Sequence, residues 1–391
     1  MKLFRTLSTT RLIALAAALV VVLAGSAVAV AASGGSGPTP TPKPLAQAIH
    51  DSLAGPELTG VTARISFTNN LFPSGALTGT TGTALMTGAN GRLWLNQNGG
   101  RIELQSNAGD VQIVWDSSKI TVYDASSNTA YVADLPAQTA PPTGTSSGPP
   151  SLDRISTFLT DLGKHWTVSG AQPSDVAGEA AYTVSVSPSH DGGLLGSAEL
   201  AWDAAQGVPL KIAIYAQGST APALALEVKQ ISFAAVPNSD IAIGVPAGAK
   251  TIDLSSSGNG TAQSGGAVPV TGLAAVQAAA PFTVVAPDTL VGLPLQDIRL
   301  VGDAGHQTVL AVYGQGLGAV VVIERAQDTS TTQQGGGSLN SLPTVSLDGI
   351  SAHELSTQLG TVIGWDRAGV SYVLAGSVPT AAAEAAARSL K

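Results

Sequence analysis

Two short strings have the spacing of known chemistry. Gly144-Thr-Ser146-Ser-Gly148 satisfies the G-x-S-x-G pattern in which a serine hydroxyl becomes a nucleophile. That elbow needs a buried strand before the serine and a helix after it. Here the string lies between Pro141-Pro142 and Pro149-Pro150 with no apolar strand beside it, so it supports no hydrolase. Gly314-Gln-Gly316-Leu-Gly318-Ala319 has the G-x-G-x-x-A spacing of a dinucleotide-binding turn, which must open a helix. The next residues, Val320-Val-Val-Ile323, read as a β-branched strand, so the glycines mark a hairpin. His50, His165, His190, His306 and His353 have no i,i+4 partner and no neighbouring Cys or His, so metal-ligand spacing is absent. Glu199 and Asp203 fall on a strand and its turn, and nothing pairs them as acid and base. The expectation is a protein that is not an enzyme and carries no metal and no cofactor.

Composition narrows the setting. The chain has 391 residues, enough for two domains with sizeable cores. Charged residues make up 11% of the chain and the net charge is −8, so no basic patch of the size nucleic acid requires is expected. With 0 cysteines, disulfides, zinc–thiolate sites, thiol catalysis and an N-terminal lipid anchor on cysteine are all excluded. Lys2, Arg5 and Arg11 precede an apolar run from Leu12 to Leu23, and Ala27-Val-Ala29 and Ala29-Val-Ala31 offer cleavage sites. Extended to Ala32, the run is about 20 residues, long enough to span a bilayer. Residues 1–32 are therefore a cleaved signal peptide or an uncleaved membrane anchor, and in either case the body lies outside the cytoplasm.

The elements that would position any site follow from periodicity. Residues 33–44 form a stiff Pro-rich spacer, and a helix is expected over Leu45–Leu53. Alternation then marks strands at Val61, Ala63, Ile65 and Phe67; at Leu93 and Leu95; at Ile102 and Leu104; at Val111, Ile113 and Trp115; and at Ile120 and Val122. Gly91-Arg92 and Gly99-Gly100 read as hairpin turns. A Pro- and Thr-rich loop spans residues 136–150. Leu152, Ile155, Phe158, Leu159 and Leu162 then recur at helical spacing. Strands resume at Tyr182, Val184 and Val186, at Ala198–Trp202, at Leu210, Ile212 and Ile214, and at Leu224, Leu226 and Val228, and the segment Ile241–Ala249 closes the run. Residues 254–269 are a flexible linker. Beyond it stand a helix over Gly272–Ala279, strands over Asp297–Gly302, Gln307–Tyr313, Ala319–Arg325, Val345–Leu347, Leu359–Asp366 and Val370–Ala375, and a terminal helix over Thr380–Leu390.

Five motifs in order carry a family resemblance. They are Asp110-Val-Gln-Ile-Val-Trp-Asp116 with Lys119-Ile-Thr-Val-Tyr-Asp124 and Asn128-Thr-Ala-Tyr131; Asp175-Val-Ala-Gly178 through Tyr182; Trp202-Asp203; Gly207-Val-Pro209-Leu210; and Pro246-Ala-Gly248-Ala249. Over residues 45–253 the chain resembles the LolA-like superfamily, which includes lipoprotein carriers and RseB/MucB-type regulators. The string Trp365-x-x-x-Gly369-x-x-Tyr372-x-Leu374-x-Gly376 is similar to the small domain that follows in RseB-type regulators and in some Gram-positive sporulation and surface proteins. The resemblance implies an α+β chain: an open antiparallel β half-barrel capped by helices over 45–253, and a smaller α+β domain over 270–391. It also implies that the first-strand residue Arg64 can latch a lid by hydrogen bonds to backbone carbonyls. Alternation alone gives Arg64 the opposite reading, a solvated outer-face arginine.

The expected wall of a binding cavity is Ile65, Phe67, Leu93, Leu95, Ile113 and Ile212, gathered on one concave face below the helix Leu152–Leu162. The expected ligand is a lipid or a lipidated protein of the cell envelope. Two alternatives stand beside it. One is a stress sensor that binds a membrane-anchored anti-sigma factor, as RseB-type regulators do. The other is a surface domain with a filled core and no ligand.

Overall fold

The structure is a computed structural model that describes residues 37–56, 58–71, 84–135, 150–190, 192–254, 270–302, 307–327 and 342–390. The apolar run 12–32, the Ser146 string, His306, and most of the 136–150 loop and the 254–269 linker lie outside the described residues. Among the described residues no helix is long and apolar enough to cross a membrane. The chain divides into two units, each described by itself.

In the first unit Pro44, held extended, caps α1 (Leu45–Leu53), and Gly55-Pro56 follows its end. Then come β1 (Val61–Asn69), the one-turn helix α2 (Ala84–Thr87), β2 (Ala89–Asn96), β3 (Gly99–Ser106) and β4 (Gly109–Asp116). β5 (Lys119–Asp124), β6 (Thr129–Asp134) and α3 (Leu152–Leu162) follow. Next are β7 (Trp166–Val168), β8 (Gln172–Val176), β9 (Glu179–Pro188) and β10 (Leu195–Asp203). β11 (Pro209–Ala216), β12 (Pro222–Ser232), α4 (Asn238–Ile241) and β13 (Lys250–Asp253) complete the unit. Side-chain oxygens shape the tight turns. The Asp116 carboxylate accepts hydrogen bonds from the backbone N–H groups of Ser118 (2.7 Å) and Lys119 (2.9 Å), and the Ser118 amide leads in holding its carboxyl below the ordinary range.

All thirteen strands belong to one sheet, in the order β13, β6, β5, β4, β3, β2, β1, β12, β11, β10, β9, β7, with β8 also paired to β9. The path does not return on itself, so the sheet is open rather than a closed barrel. Its pairs are antiparallel except β13 on β6, which is parallel.

Four expectations change. Gly91-Arg92 is not a turn but lies inside β2, because the hairpin is made at Gln97-Asn98 just before Gly99. Ile241–Ala249 is not a strand: it starts in α4 and continues as irregular chain, and the pairing segment begins only at Lys250. The helix Leu152–Leu162 has the predicted bounds, but it packs on α1, and α2 is the helix that rests on β1, β3 and β4. Finally, the last part of the Pro-rich spacer lies on the unit. The Tyr182 hydroxyl donates to the Thr41 carbonyl at 2.6 Å, and the Lys43 ammonium pairs with Asp51 at 2.6 Å. The Tyr182→Phe variant cannot make the first of these bonds. We expect amide exchange at Thr41 and Lys43 to rise about fivefold to tenfold, the equivalent of roughly 1 kcal/mol. Unchanged exchange would show that the prolines alone hold the segment.

The second unit holds β14 (Val270–Thr271), α5 (Leu273–Ala279), β15 (Thr289–Leu290), β16 (Leu293–Val301) and β17 (Thr308–Tyr313). It continues with β18 (Val320–Ala326), β19 (Thr344–Leu347), β20 (Ile350–Thr357), β21 (Gly360–Arg367), β22 (Val370–Gly376) and α6 (Thr380–Ser389). Its nine-stranded sheet runs β14, β16, β17, β18, β22, β21, β20, β19, with β15 paired to β16. The glycine-rich 314–319 string is the β17–β18 hairpin turn, as the β-branched residues after it require. Val276 of α5 and Ala383, Ala386 and Ala387 of α6 share one buried cluster with Val309, Val322, Ile363 and Leu374. Trp365 and Tyr372 are directly paired across β21 and β22, and their rings stack at 5.1 Å. Ala368 and Gly369, both at positive φ, make the tight turn between them. That hairpin is the physical content of the Trp-Gly-Tyr string. β20 was not expected. Its inward positions, Ala352 and Glu354, pair a small residue with a carboxylate, which erases the apolar alternation.

Candidate ligand-binding face

Cross-strand register decides which side chains share a face, because directly paired residues point the same way. On β1 and β2 the pairs are Val61 with Leu95, Ala63 with Leu93, Ile65 with Gly91 and Phe67 with Ala89. Leu93 then pairs with Ile102 and Leu95 with Gly100. On β4, Ile113 faces Ile102 and Trp115 faces Gly100. In the other direction Phe67 pairs with Leu226, which pairs with Ile212. The ion pair Lys211–Glu199, at 2.6 Å, puts those two on the opposite face, so Leu200 and Trp202 continue the apolar side. Trp202 faces Tyr182 on β9. One apolar face therefore runs by register from Trp115 on β4 to Ile212 on β11, and the Lys211–Glu199 pair relates it to the apolar row of Leu200, Trp202 and Tyr182, which packs as a separate cluster.

All six expected wall residues lie on that face. Ile65 is buried at 3% exposure. Phe67, Leu93 and Ile113 are half-buried against the same cluster, with Ala63, Leu104, Val111, Leu210 and Val228. Leu95 and Ile212 join them by register and are half-buried as well. Ala84 of α2 sits in this cluster, fully buried. Gly100 is required here: a Cβ on it would strike the Trp115 ring, which lies across it beside Leu95. A second cluster, Ala48, Ala171, Tyr182, Val184 and Trp202, is where α1 rests on the same face. Within it the Trp202 indole N–H is buried without a partner.

The face is only thinly covered. α3 buries Ile155 alone, while Phe158, Leu159 and Leu162 are half-exposed and Leu152 is 40% exposed. A cleft of about 400 Å³ opens at the ends of β1, β2 and β3, beside Phe67. It is lined by Ser66, Asn69, Asn90, Gln105 and similar neutral groups, with no ionisable side chain among them. Arg64 projects from the opposite side of β1, exposed, in the row between Gln230 and Arg92. It faces away from the apolar surface that a lid would cover.

The titratable groups form no reactive set. Among the described residues no group of three or more His, Cys, Asp or Glu could hold a metal ion. His50 Nδ1 lies 3.5 Å from Asp51, and His353 Nδ1 lies 3.2 Å from the Leu342 carbonyl. Asp203, buried at the Trp202-Asp203 corner, accepts from the Ala205 amide at 2.9 Å and supports the turn before Gly207. In the second unit, by contrast, Glu324 is fully buried and its one hydrogen bond comes from the Val285 amide at 3.0 Å. Desolvation pushes its carboxyl up to about 7, and the unpartnered Tyr313 hydroxyl is pushed up by burial and by the nearby Glu324. The signal was present in the sequence: Val320, Val322 and Glu324 occupy successive inward positions of β18.

No protein-family model matches the chain, and no curated protein matches it. Solved structures similar to it include a complex of Pseudomonas aeruginosa MucA and MucB. That match has 13% identity and a TM-score of 0.41, and covers 88% of this chain and 94% of the other. An uncharacterised conserved protein from Thermus thermophilus matches at 9% identity and a TM-score of 0.33, covering 54% of this chain and 96% of that one. An outer membrane lipoprotein-sorting protein domain from Vibrio parahaemolyticus matches at 10% identity and a TM-score of 0.20, over 50% of this chain and 93% of that one.

Proposed function

We propose that this chain is an extracytoplasmic binding protein without catalysis of its own, which holds the acyl chains of a lipid or a lipidated protein on the apolar face of its first unit. The observation that carries the reading is that face itself. It runs by register from β4 to β11, yet Phe67, Leu93, Leu95, Ile113 and Ile212 are only half-covered. Aromatic residues are 4% of the chain, so the wall is mostly branched aliphatic and leaves room between side chains. Each methylene removed from water contributes about 0.8 kcal/mol, so roughly ten of them suffice for an affinity of order micromolar.

A fluorescent fatty acid tests the reading. Native protein is expected to bind it saturably, and Leu95→Asp and Ile113→Asp are each expected to abolish the signal while the β-sheet circular dichroism persists. Binding that survives both substitutions places the ligand elsewhere. The absence of binding by native protein favours a surface domain with no ligand.

The second unit supports a further reading, regulation of a membrane-anchored partner such as an anti-sigma factor. It has its own closed core, into which two helices pack, more than a bare carrier needs. Co-purification of such a partner from an envelope fraction, lost on adding fatty acid, would join the two readings.

A further inference from the structure

The outer face of β1 and β2 carries a charge arrangement that the apolar face does not explain. Arg64 and Arg92 are directly paired across the two strands, so their side chains leave the sheet side by side. Like charges in that position are destabilising. Both residues are exposed, and among the described residues neither has an ion-pair partner. Glu103, which lies across from Arg92 on β3, is already engaged by Arg101. Lys229, extra to the register at the β12 bulge beside Arg64, is exposed and pairs with Glu227 at 2.8 Å. Asp240, whose backbone carbonyl accepts from Arg101 at 3.0 Å, adds a third carboxylate beside it. With it counted, the surplus positive charge of the patch sits at the Arg64–Arg92 pair, in a chain whose net charge is −8. On the same outer face, Trp94 has the Arg101 guanidinium 4.7 Å from its ring centre.

We propose that this outer patch, Arg64, Arg92 and Lys229 with Trp94 beside them, seats the first unit on the headgroups of an anionic phospholipid bilayer, while Arg101, 13% exposed and held by Glu103 and the Asp240 carbonyl, stays within the protein. An indole next to guanidinium groups suits the interface between water and acyl chains, where an amphipathic ring and cations are both favoured. Where the apolar run Leu12–Ala32 is retained as an anchor, the anionic surface beside this unit is the bilayer rather than an acidic peptide. Docked in this way, the outer face touches the bilayer while the apolar face stays free. The proposal does not depend on acyl binding.

The chain has no cysteine, so Gln230→Cys places a single environment-sensitive dye next to Arg64. The full chain is reconstituted with vesicles of neutral phosphatidylcholine, or of phosphatidylcholine with phosphatidylglycerol. A blue-shifted dye emission is expected only with the anionic vesicles, and is expected to be reversed by salt. Arg64→Gln with Arg92→Gln should lower the docked fraction roughly thirtyfold, taking the usual contribution of each cation near a charged bilayer. Arg64→Lys with Arg92→Lys should retain it. Both pairs remove or preserve charge at exposed sites, so unfolding midpoints should stay level or rise. Equal emission with both vesicle types, a shift that survives the glutamine pair, or a shift produced by poly-glutamate but not by vesicles would each overturn the proposal. Fatty-acid binding measured on the same variants reports separately on the apolar face.

Discussion

Replacing Glu324 by glutamine is expected to stabilise the second unit at pH 8 by about 3 kcal/mol and to leave it nearly unchanged at pH 4. The native carboxyl is fully buried on the inward face of β18, its Oε1 has no partner, and its other oxygen accepts only the Val285 amide. Its pKa is pushed up to about 7 from an ordinary 4.5. Between those values the folded state keeps a proton that the unfolded chain has released. Stability is therefore full below pH 4.5, falls as pH rises through about 7, and is level above it. At roughly 1.4 kcal/mol per unit, a window of about 2.5 units gives the stated magnitude. Glutamine keeps an acceptor for Val285 and cannot ionise. Urea unfolding of both proteins from pH 4 to 9, followed through Trp365, should give a sloping wild-type curve and a flatter variant curve. Glu354, also raised by burial, leaves a smaller residual slope in both. Parallel curves would mean that Glu324 is hydrated in solution.

The second large effect is at Gly91. It pairs with Ile65 on one side and Leu104 on the other, in the middle of the apolar face. A Cβ there would run into the backbone carbonyl of Glu103 and touch the Leu104 side chain. Backbone cannot yield as a flexible side chain can, so Gly91→Ala must shift the β2–β3 pairing. We expect a loss of about 3 kcal/mol or more, together with loss of fatty-acid binding. Gly244→Ala is the control, since nothing lies within 4 Å of a Cβ at that position. If both variants melted with the wild type, the strands would be looser than their register implies.

Gly91 also shows where sequence reading fails. A glycine beside an arginine between two alternating runs looks like a hairpin turn, but this one is a point of close approach inside a strand. Sequence reports that glycine is present, not whether a positive φ or a crowded neighbour requires it. The helices Leu45–Leu53 and Leu152–Leu162 were legible to the residue because Pro44 and Ser151 mark their starts and Gly55 and Gly163 follow their ends. Alternation separates the two faces of each strand, but that Ile65, Leu93, Ile113 and Ile212 share one face follows only from the cross-strand register. The cover over that face was not legible. The four-residue α2 is too short to show a period, while the well-marked Leu152–Leu162 helix carries a clear stripe whose target is another helix. The outward direction of Arg64 is legible from alternation, but its opposition to Arg92 depends on a register that no single strand reveals.

The parallel pairing of β13 with β6 bears on how the first unit is assembled. β1 to β6 can form in succession as neighbouring hairpins, but they leave both β1 and β6 with open hydrogen-bonding edges. β1 waits for β12, whose first residue, Pro222, lies more than 150 positions beyond the end of β1 at Asn69. β6 waits for residues 250–253, the last strand of the unit. A partly synthesised chain would thus present two strand edges for as long as its C-terminal portion was missing, and such edges recruit other chains. Both closures join distant residues, so the entropic cost comes before the contacts that offset it, and folding of this unit should be slow relative to the hairpins inside it. A chain delivered across a membrane unfolded and released entire would meet this topology with all of its strands already present.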